Sequence, residues 1–468
     1  MSYLQKLKSP IFIIIIFVVV VFGSSLMGDL ARVVSAGALG AITIALLVFK
    51  HKFWAGLAAI AIFGIFYFWI FVSLRPAAIA AGCHDGKIAS NPKMSQTATE
   101  FLFRSGGAAA VVSTDEAEDF GWGDKLEVCF DVKQIQSAGS FKNYLLARYG
   151  TDFELKNPTI DLTAAGTGFV RNFYDWVDGL NERLSRIFIG NDAVLAKGLI
   201  LGGSQGFSSE IKTKLKLTGT SHIVAVSGYN ISIITVILFN AFRKAFSRRG
   251  AIIAVFLLLI IFVPMTGFTA SVIRAAIMGL SYVFAKMLGR RGAVLNSLFV
   301  AALLMILLNP YVIYDLSFQL SFAATFGLVL VLGPLERIFK NELVVIMLST
   351  LVAQLFTLPL SIANFGIVSI VAPLTNVLIL PIVPVTMGLV SLALVGSYVS
   401  LSLGILIGGF AQILLRYIIL IIKFFGGLHF AALSYKANWL VALMMYFVVG
   451  IVAVLLRRIL ARFSRKVF

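Results

Sequence analysis

The sequence predicts a polytopic α-helical membrane protein of about 12 transmembrane helices, with a small β-rich domain inserted outside the membrane. Three observations support this fold class. Of the 468 residues, 59% are hydrophobic and 13% are charged, whereas soluble domains carry about 25% charged residues. Apolar runs long enough to span a bilayer recur along the chain. One long polar segment, from residue 75 to about 220, interrupts them.

The apolar runs define the expected spans. Three precede the polar segment, at 11–27, 33–49 and 53–72. Nine follow it, at 222–242, 251–267, 269–287, 293–308, 316–332, 344–363, 372–397, 403–424 and 439–456. The first run lacks a small-x-small cleavage site, so we expect an uncleaved span rather than a signal peptide. Pro373, Pro381 and Pro384 predict a kinked or broken helix, of the kind that lines a cavity.

The net charge of +18 follows the expected topology. Lysines and arginines concentrate in every second connection between spans, whereas the intervening short connections hold little beyond Arg32 and Lys436. The basic positions are Lys6, Lys8, Lys50, Lys52, 243–249, 286–291, Arg337, Lys340 and 457–466. This alternation is the positive-inside pattern, which puts both termini in the cytoplasm and the polar segment outside. Nucleic-acid binding is the alternative cause of the excess.

Composition divides the chain into four parts. These are N-terminal helices (1–74), a β domain (75–165), amphipathic or juxtamembrane helices (166–220) and a helical membrane domain (221–468). Short alternating strands between turn residues predict a small β-barrel or sandwich for the second part. Both cysteines, Cys83 and Cys129, lie in it. Two thiols confined to an exported domain favour a disulfide worth roughly 4 kcal/mol, with two separate buried thiols as the alternative.

Residues 168–188 predict an amphipathic helix. Phe169, Phe173 and Trp176 recur at helical spacing along an apolar stripe, opposite a charged face. Such an aromatic stripe beside a membrane can lie in the interface plane. Packing against the β domain or against the membrane helices is an equally weighted alternative.

Four polar side chains are expected in the outer half of the membrane. His222 begins one inward-running span, Arg274 lies about one and a half turns into a second, and Asp315 and Gln319 begin a third. Ionisable groups in lipid are rare unless they face a protein interior or water, so together they predict a polar funnel facing the exported domain. The alternatives are a structural Arg274–Asp315 ion pair, an interfacial histidine and a glutamine that bridges helices.

The remaining polar positions predict helix contacts rather than chemistry. Gln354 and Asn376 suit interhelical hydrogen bonds, and Gly228 suits close helix approach or unwinding of the helix. Ser227 lies about 140° from His222 on a continuous helix and lacks a nucleophile elbow, which argues against hydrolysis. Metal, nucleotide and redox motifs are absent from the sequence, and four scattered histidines cannot form a multi-histidine metal cluster. We therefore expect no enzyme activity, catalytic residue, cofactor or metal.

An ordered set of motifs over residues 193–394 resembles the ComEC competence family. Residues 220–228, TSHIVAVSG, resemble its SHLLAISG signature, and residues 270–275 resemble its PSxxRA segment. Asn309-Pro310 followed by 315–322 resembles NP…DxxFQLSF. Further matching positions are Gln354, Leu358, Pro359, Phe365, Gly366, Ala372, Pro373, Asn376 and Pro381. No single string is decisive, but the ordered set is highly specific.

The resemblance implies a cytoplasmic-membrane channel that imports single-stranded DNA during natural transformation. The expected channel residues are His222, Ser227, Gly228, Asn230, Arg274, Asp315, Gln319, Gln354 and Asn376. Many members have Leu-His where this chain has Tyr229-Asn230, so the role of that histidine is not carried over. The expected partners are single-stranded DNA and the bilayer, with separate DNA receptor, nuclease and motor proteins. A homodimer is left open.

The resemblance also implies that the exported domain is OB-like. Its Phe101, Phe103 or Trp122 would then be candidates for weak stacking on bases. Larger family members append a metallo-β-lactamase-like domain, whereas this chain ends at Phe468, so we expect a channel without its own nuclease. The alternative function is a transporter or flippase for a lipid-linked or small substrate. A scaffold that anchors the exported domain is a third hypothesis.

Overall fold

The computed structural model divides the chain into two units. It describes residues 17–21, 52–74, 76, 79–94, 98–115, 120–137, 142–151, 153–203, 206–224, 228–287 and 294–467. The first unit holds Met1–Lys93, Ala98–Gly166 and Arg290–Phe318. The second holds Met94–Thr97, Thr167–Gly289 and Gln319–Phe468. The first unit thus combines the N-terminal part of the chain with a short piece from much later.

Helices make up most of the described structure. In chain order they are α1 Lys52–Ser73, α2 Lys142–Tyr149, α3 Phe169–Ile187, α4 Asn191–Ile200, α5 Ser209–Leu217, α6 Ser221–Val224, α7 Gly228–Ala245, α8 Arg248–Met265, α9 Ala270–Met287, α10 Val294–Leu308, α11 Leu316–Gly327, α12 Gly333–Ile338, α13 Glu342–Asn364, α14 Ala372–Ile379, α15 Val383–Val399, α16 Leu401–Gly426 and α17 Trp439–Val467. A 3-10 turn, Pro310–Tyr314, precedes α11, and a π turn, Leu328–Leu332, follows it. The predicted, mainly helical architecture is confirmed.

Two of the described helices, α13 and α16, are long and apolar enough to cross a membrane. Helices α14 and α15 would add a third span if they act together, and a bend of 46° separates them, where the prolines predict a break. In the other apolar helices, the stretch whose side chains the structure describes runs for 10 to 17 residues, short of the roughly 20 that a bilayer requires. The expected spans 11–27 and 33–49 lie outside the described residues, apart from the helical residues 17–21. The total of about 12 spans therefore stays a prediction.

The predicted β-sheet domain near the N-terminus is confirmed. Its strands are β1 Gly82–Ile88, β2 Lys93–Met94, β3 Thr99–Ser105, β4 Ala108–Thr114, β5 Lys125–Phe130, β6 Ile135–Ser137, β7 Phe153–Lys156 and β8 Thr159–Ala164. They form one sheet in the order β6-β7-β4-β3-β1-β5-β8, with β2 beside β3. Strand β4 pairs with β7 in parallel, and the other described registers are antiparallel. Only Asn157 and Pro158 separate β7 from β8, which lie toward opposite ends of this order, so the sheet curls back on itself.

Apolar side chains that alternate along the strands form the core of the β domain. Phe101 and Phe103 on β3 pack with Leu126 and Val128 on β5, and all four side chains are 0% exposed. Leu145 of α2 belongs to a second cluster, which covers the opposite face of β3 and β4. Because Phe101 and Phe103 are core residues, the expectation that they stack on bases is wrong.

The predicted disulfide is present between β1 and β5. Cys83 lies directly opposite Cys129, and an S–S bond of 2.02 Å joins them across 46 residues of sequence. Glu127 is close enough to both sulfurs for the three residues to resemble a metal site. Metal binding requires thiolates, so the oxidised pair does not supply them.

Two polar side chains anchor loops of the β domain. The buried carboxylate of Asp124 accepts hydrogen bonds from the backbone N–H groups of Gly121 and Gly166, each at 2.6 Å. The side chain of Asn157 accepts from the backbone of Asp115 and donates to its carboxylate, at 3.1 and 2.8 Å. These bonds fix the chain where it leaves the sheet, because no ladder is available there to satisfy the backbone.

Tyr67 of α1 connects the first unit across a long stretch of sequence. Its hydroxyl donates to the carbonyl groups of Ile306 and Leu307 at the end of α10, at 3.0 and 2.8 Å, and Ile306 is 239 residues later in the chain. Phe68 is 1% exposed and packs edge-on against Tyr311 of the 3-10 turn, with ring centroids 5.5 Å apart. The last carbonyls of a helix have no intrahelical partner, so the Tyr67 hydroxyl of α1 supplies a hydrogen-bond donor to the end of α10.

The second unit has several hydrophobic cores. In one, the predicted amphipathic helix, α3, packs with α4 and α5 against α15 and α16, and Leu184, Leu199 and Leu415 are 0% exposed there. Another joins α7, α8 and α9, and a third joins the π turn with α13 and α17. Helix α3 thus packs on other helices along most of its apolar stripe. Its first residue, Phe169, is 85% exposed.

Candidate functional site

Arg274 lies in α9 and is buried in the second unit, at 8% exposure. Its Nη1 donates to the hydroxyl of Thr325 in α11 and approaches the sulfur of Met278 at 3.7 Å. Its Nε has no partner among the described residues. We call Gly228, Arg274, Met278 and Thr325 the arginine cluster. Within this cluster the guanidinium of Arg274 contacts the hydroxyl of Thr325 and the thioether of Met278. Both are weak partners for a buried charge.

Gly228, the first residue of α7, leaves the space that Arg274 occupies. A methyl group on Gly228 would lie 2.4 Å from Nη2 of Arg274, well inside a van der Waals contact. The close approach expected at this glycine is therefore to a guanidinium rather than to another helix backbone. Any larger residue at 228 must displace the charge, because packed interiors have little room to relax.

Asp315 directly precedes the first residue of α11 and lies in the first unit. Its Oδ1 accepts hydrogen bonds from the backbone N–H groups of Ser317 and Phe318, at 2.7 and 3.4 Å. Asp315 is thus an N-cap, which supplies partners for donors that the first turn of a helix leaves free. An aspartate directly before an apolar helical run is the sequence signal for such a cap. Gln319, one turn on, is partly exposed and lies in the second unit.

Gln354 and Asn376 meet in a group of buried hydroxyl side chains. Gln354 of α13 donates to the carbonyl of Ser369 in a short strand, β9 Ile367–Ser369. Asn376 of α14 donates to the hydroxyl of Thr350 at 3.3 Å. Thr375 donates to the carbonyl of Thr218 at 3.0 Å. Thr218, Thr220, Thr350, Ser369 and Thr375 are the hydroxyl cluster. Each is at most 9% exposed.

The hydroxyl cluster has unused hydrogen-bonding capacity. Among the described residues, the hydroxyl of Ser369 and the side-chain oxygen of Asn376 have no partner. A buried polar atom without a partner costs about 1–3 kcal/mol. Such atoms in a native structure require an explanation, and a bound polar molecule or water is one.

The structure brings one further expected residue to this cluster. His222 is exposed, and its Nδ1 lies 3.0 Å from the carbonyl of Gly219, next to Thr218. A methyl group on Gly219 would contact Ser369, at 3.2 Å from its Cβ, so the residues before α6 lie against β9. Asn230 is buried in α7, at 1% exposure. Ser227 lies outside the described residues.

Sequence reasoning missed a third polar group, formed by Asp192, Gln412 and Arg416. The carboxylate of Asp192 in α4 accepts from Nε of Arg416 at 3.1 Å and from Nε2 of Gln412 at 3.2 Å, both in α16. Arg416 was visible in the sequence as a charge inside the apolar run 403–424. Asp192 gave no signal, because it lies in a polar segment 224 residues earlier.

Comparisons with known proteins cover the helical part of the chain. The profile of the family described as Competence protein matches residues 199–459, more than half of the chain. The chain is 30% identical over 188 residues to ComE operon protein 3 of Bacillus subtilis (strain 168), which is 40% of this chain. It spans 24% of the length of that relative. No solved structure matches.

Proposed function

The chain belongs to the ComEC family of competence proteins, and from this membership we propose that it imports single-stranded DNA across the cytoplasmic membrane during natural transformation. The observation that carries the proposal is an overlap. The matched residues, 199–459, include both the arginine cluster and the hydroxyl cluster. The family assignment and the buried polar groups thus fall on the same helices.

The chemistry of single-stranded DNA agrees with these polar groups. A single strand carries one negative charge per nucleotide, so its path through a membrane requires polar partners and some positive potential. Arg274 offers a buried cation whose Nε has no partner among the described residues. The hydroxyl cluster offers acceptors and donors that are already desolvated. We propose that these two clusters lie along the path and that the chain acts as a conduit.

The proposed topology has about 12 spans, both termini in the cytoplasm and the β domain outside. Its support is the alternation of basic connections in the sequence, together with helices α13 and α16, each of spanning length. An OB-like fold for the β domain is supported by the curled sheet and by the parallel β4–β7 pair. We propose a separate DNA receptor, nuclease and motor as partners.

The test separates charge from structure at two positions. Cells carrying Asp315→Asn, Asp315→Ala, Arg274→Lys or Arg274→Ala take up labelled duplex DNA, and DNase-resistant single strand inside the cell is measured at matched protein levels. Asn caps a helix about as well as Asp, so Asp315→Asn removes the charge and keeps the cap. We expect Arg274→Ala to reduce uptake by about 100-fold and Arg274→Lys by less, because lysine keeps the positive charge.

Asp315→Asn distinguishes the two roles of that carboxylate, a charge in the path and a helix cap. Reduced uptake assigns its charge to the path, whereas wild-type uptake assigns it to the cap alone. Wild-type uptake in all Arg274 and Asp315 variants, at normal expression, would remove the conduit proposal.

One observation favours the second candidate, a transporter or flippase for a lipid-linked or small substrate. Transporters hold their substrates between broken helices, and α14 and α15 form such a bent pair. Transport of a lipid-linked substrate, with strand uptake unaffected by the Arg274 variants, would support it.

A further inference from the structure

Helix α16 carries two charges in an otherwise apolar sequence. Its charged residues are Arg416 and Lys423, and both are exposed. They are seven residues apart, which is two turns or about 10 Å along the axis, so they lie on one side of the helix. Ile413 and Leu420 share that side and are 66% and 63% exposed. Two cations are therefore spaced along an apolar exposed strip.

The guanidinium of Arg416 is held from one edge. Its Nε donates to Oδ2 of Asp192, and Gln412 donates to the same oxygen. The Asp192 side chain is 10% exposed, whereas that of Arg416 is 71% exposed. The described hydrogen bonds engage only Nε, and a guanidinium carries five N–H donors in a rigid fork. The terminal nitrogens are thus free to bind a planar or tetrahedral oxyanion.

The position of Arg416 argues against contact with lipid tails. It lies ten residues before the end of α16, about 15 Å along the axis. An arginine near the centre of a span costs about 2.5–3.5 kcal/mol unless it meets water, a protein group or an anion. Asp192 contacts only one edge of the Arg416 guanidinium. A buried carboxylate that orients an exposed cation is the arrangement expected of a binding group rather than of a structural ion pair.

We propose that Arg416 and Lys423 form a binding track for the phosphodiester backbone of the imported strand, with Asp192 as the positioning residue for Arg416. The proposal rests on the function proposed above and adds a contact that lies outside the arginine and hydroxyl clusters. Arginine pairs with phosphate through two parallel N–H···O bonds. A track of spaced cations binds any sequence, as import of unselected DNA requires. Lipid headgroup phosphate is the competing ligand.

Thiol labelling tests whether the track meets water. Both native cysteines are engaged in the disulfide, so Arg416→Cys and Ile413→Cys each carry one free thiol in the full chain. Methanethiosulfonate reagents require thiolate, which forms in water. Because the two positions lie on one side of α16, we expect both to react at least about tenfold faster than Leu443→Cys, an exposed position of α17. Adding a cationic group at position 416 should restore uptake, and adding an anionic group should not.

Salt dependence tests the contact with phosphate. The full chain in nanodiscs binds a labelled oligothymidylate over a range of salt concentrations. Each phosphate contact contributes about 0.7 to the slope of log K against log salt for single strands. We expect Arg416→Ala to lower the slope by about 0.7 and to weaken binding several-fold, with Asp192→Asn between it and the wild type. Ile413→Ala is the matched control and should leave the slope unchanged.

The outcomes separate this inference from the function on which it rests. Equal, slow labelling at 413 and 416 assigns Arg416 to a lipid headgroup and overturns the track. Wild-type import with an unchanged slope in Arg416→Ala also overturns the track but leaves the conduit in place. A wild type that neither binds nor imports single strand removes the conduit itself.

Discussion

In the β domain, Asn157 makes four hydrogen bonds that join three loops, whereas in the second unit Arg274 leaves its Nε without a partner among the described residues. Other buried atoms of the second unit also have no partner among the described residues, namely Oγ1 of Thr235, Oγ of Ser369 and Oδ1 of Asn376. In the β domain the Tyr149 hydroxyl is such an atom. The β domain uses its polar groups to hold its own fold. In the second unit the buried atoms without a partner among the described residues include a guanidinium nitrogen and an amide oxygen, groups that a polar ligand can bind.

The difference extends to the forces that hold each region. The β domain combines a backbone ladder, a phenylalanine core and one covalent bond between neighbouring strands. The second unit relies on apolar helix packing around polar groups whose positions depend on single small residues such as Gly228. A perturbation of one kind should therefore affect one region and spare the other. Variants in each region test that separation.

The largest effect is expected from Cys83→Ser with Cys129→Ser. In the chain-entropy model, opening a loop of 46 residues lowers the free energy of unfolding by about 4 kcal/mol. We expect proteolysis of purified full-length protein to begin within residues 82–164, with the helices of the second unit still protected. Simultaneous loss of protection in both regions would show that they unfold as one, which contradicts the separation.

A smaller effect in stability, confined to the second unit, is expected from Gly228→Ala. The new methyl group displaces Nη2, the far end of the Arg274 side chain, so the stability cost should be about 1 kcal/mol, at the low end for overpacking. Uptake should fall by about tenfold, because the guanidinium leaves its position and a loss of about 1.4 kcal/mol in its interaction with the strand corresponds to a factor of ten. Gly388→Ala and Gly409→Ala are matched controls, since nothing lies within 4 Å of a methyl group at either helical position.

The double variant Gly228→Ala with Arg274→Ala separates packing from charge. Removing the arginine relieves the clash, so the double variant should regain stability relative to Gly228→Ala, as a coupled pair does. Its uptake should stay low, because the cation is gone. Recovery of uptake together with stability would assign Arg274 a packing role only.

The smallest effect is expected from Glu100→Gln in the β domain. Burial, and secondarily the nearby Glu154, raise the pKa of the Glu100 carboxyl above its usual range. A carboxyl whose pKa is higher in the folded than in the unfolded state contributes stability below the unfolded pKa, and that contribution is lost as the pH rises through the folded pKa. Glu100→Gln should therefore stabilise the β domain at neutral pH and flatten this pH dependence.

Proteolytic protection of residues 82–164, followed between pH 4 and 8, measures this effect. Glu154→Gln should give part of the same gain, because it removes the second cause. An unchanged pH profile in Glu100→Gln would contradict the assignment.

Features coded by neighbouring residues were predictable from the sequence. Alternating apolar residues indicated the strands, helical spacing indicated α3, and the confinement of Cys83 and Cys129 to one segment indicated their disulfide. Polar partners distant in sequence were not predictable. Nothing around Asp192 points to Arg416, because the ion pair depends on how α4 packs on α16. The same holds for Arg274, whose contacts with Gly228 and Thr325 come from two other helices.

Residue type alone also leaves two roles open. Asp315 caps α11 through its carboxylate, and its place in a membrane path stays a prediction. Phe101 and Phe103 looked available for stacking because aromatic residues serve both cores and base-binding surfaces, and strand alternation places them inside.

The hydrogen bonds from Tyr67 to the end of α10 have a consequence for biosynthesis. The ribosome adds about 5–20 residues per second, and Ile306 follows Tyr67 by 239 residues, so α1 waits about 10 to 50 s for its partner. During that interval Tyr67 lacks its hydrogen bonds to Ile306 and Leu307, and Phe68 lacks its contact with Tyr311. Helix α1 should therefore depend on a membrane insertase or chaperone until then, and truncations before residue 306 should leave it open to degradation.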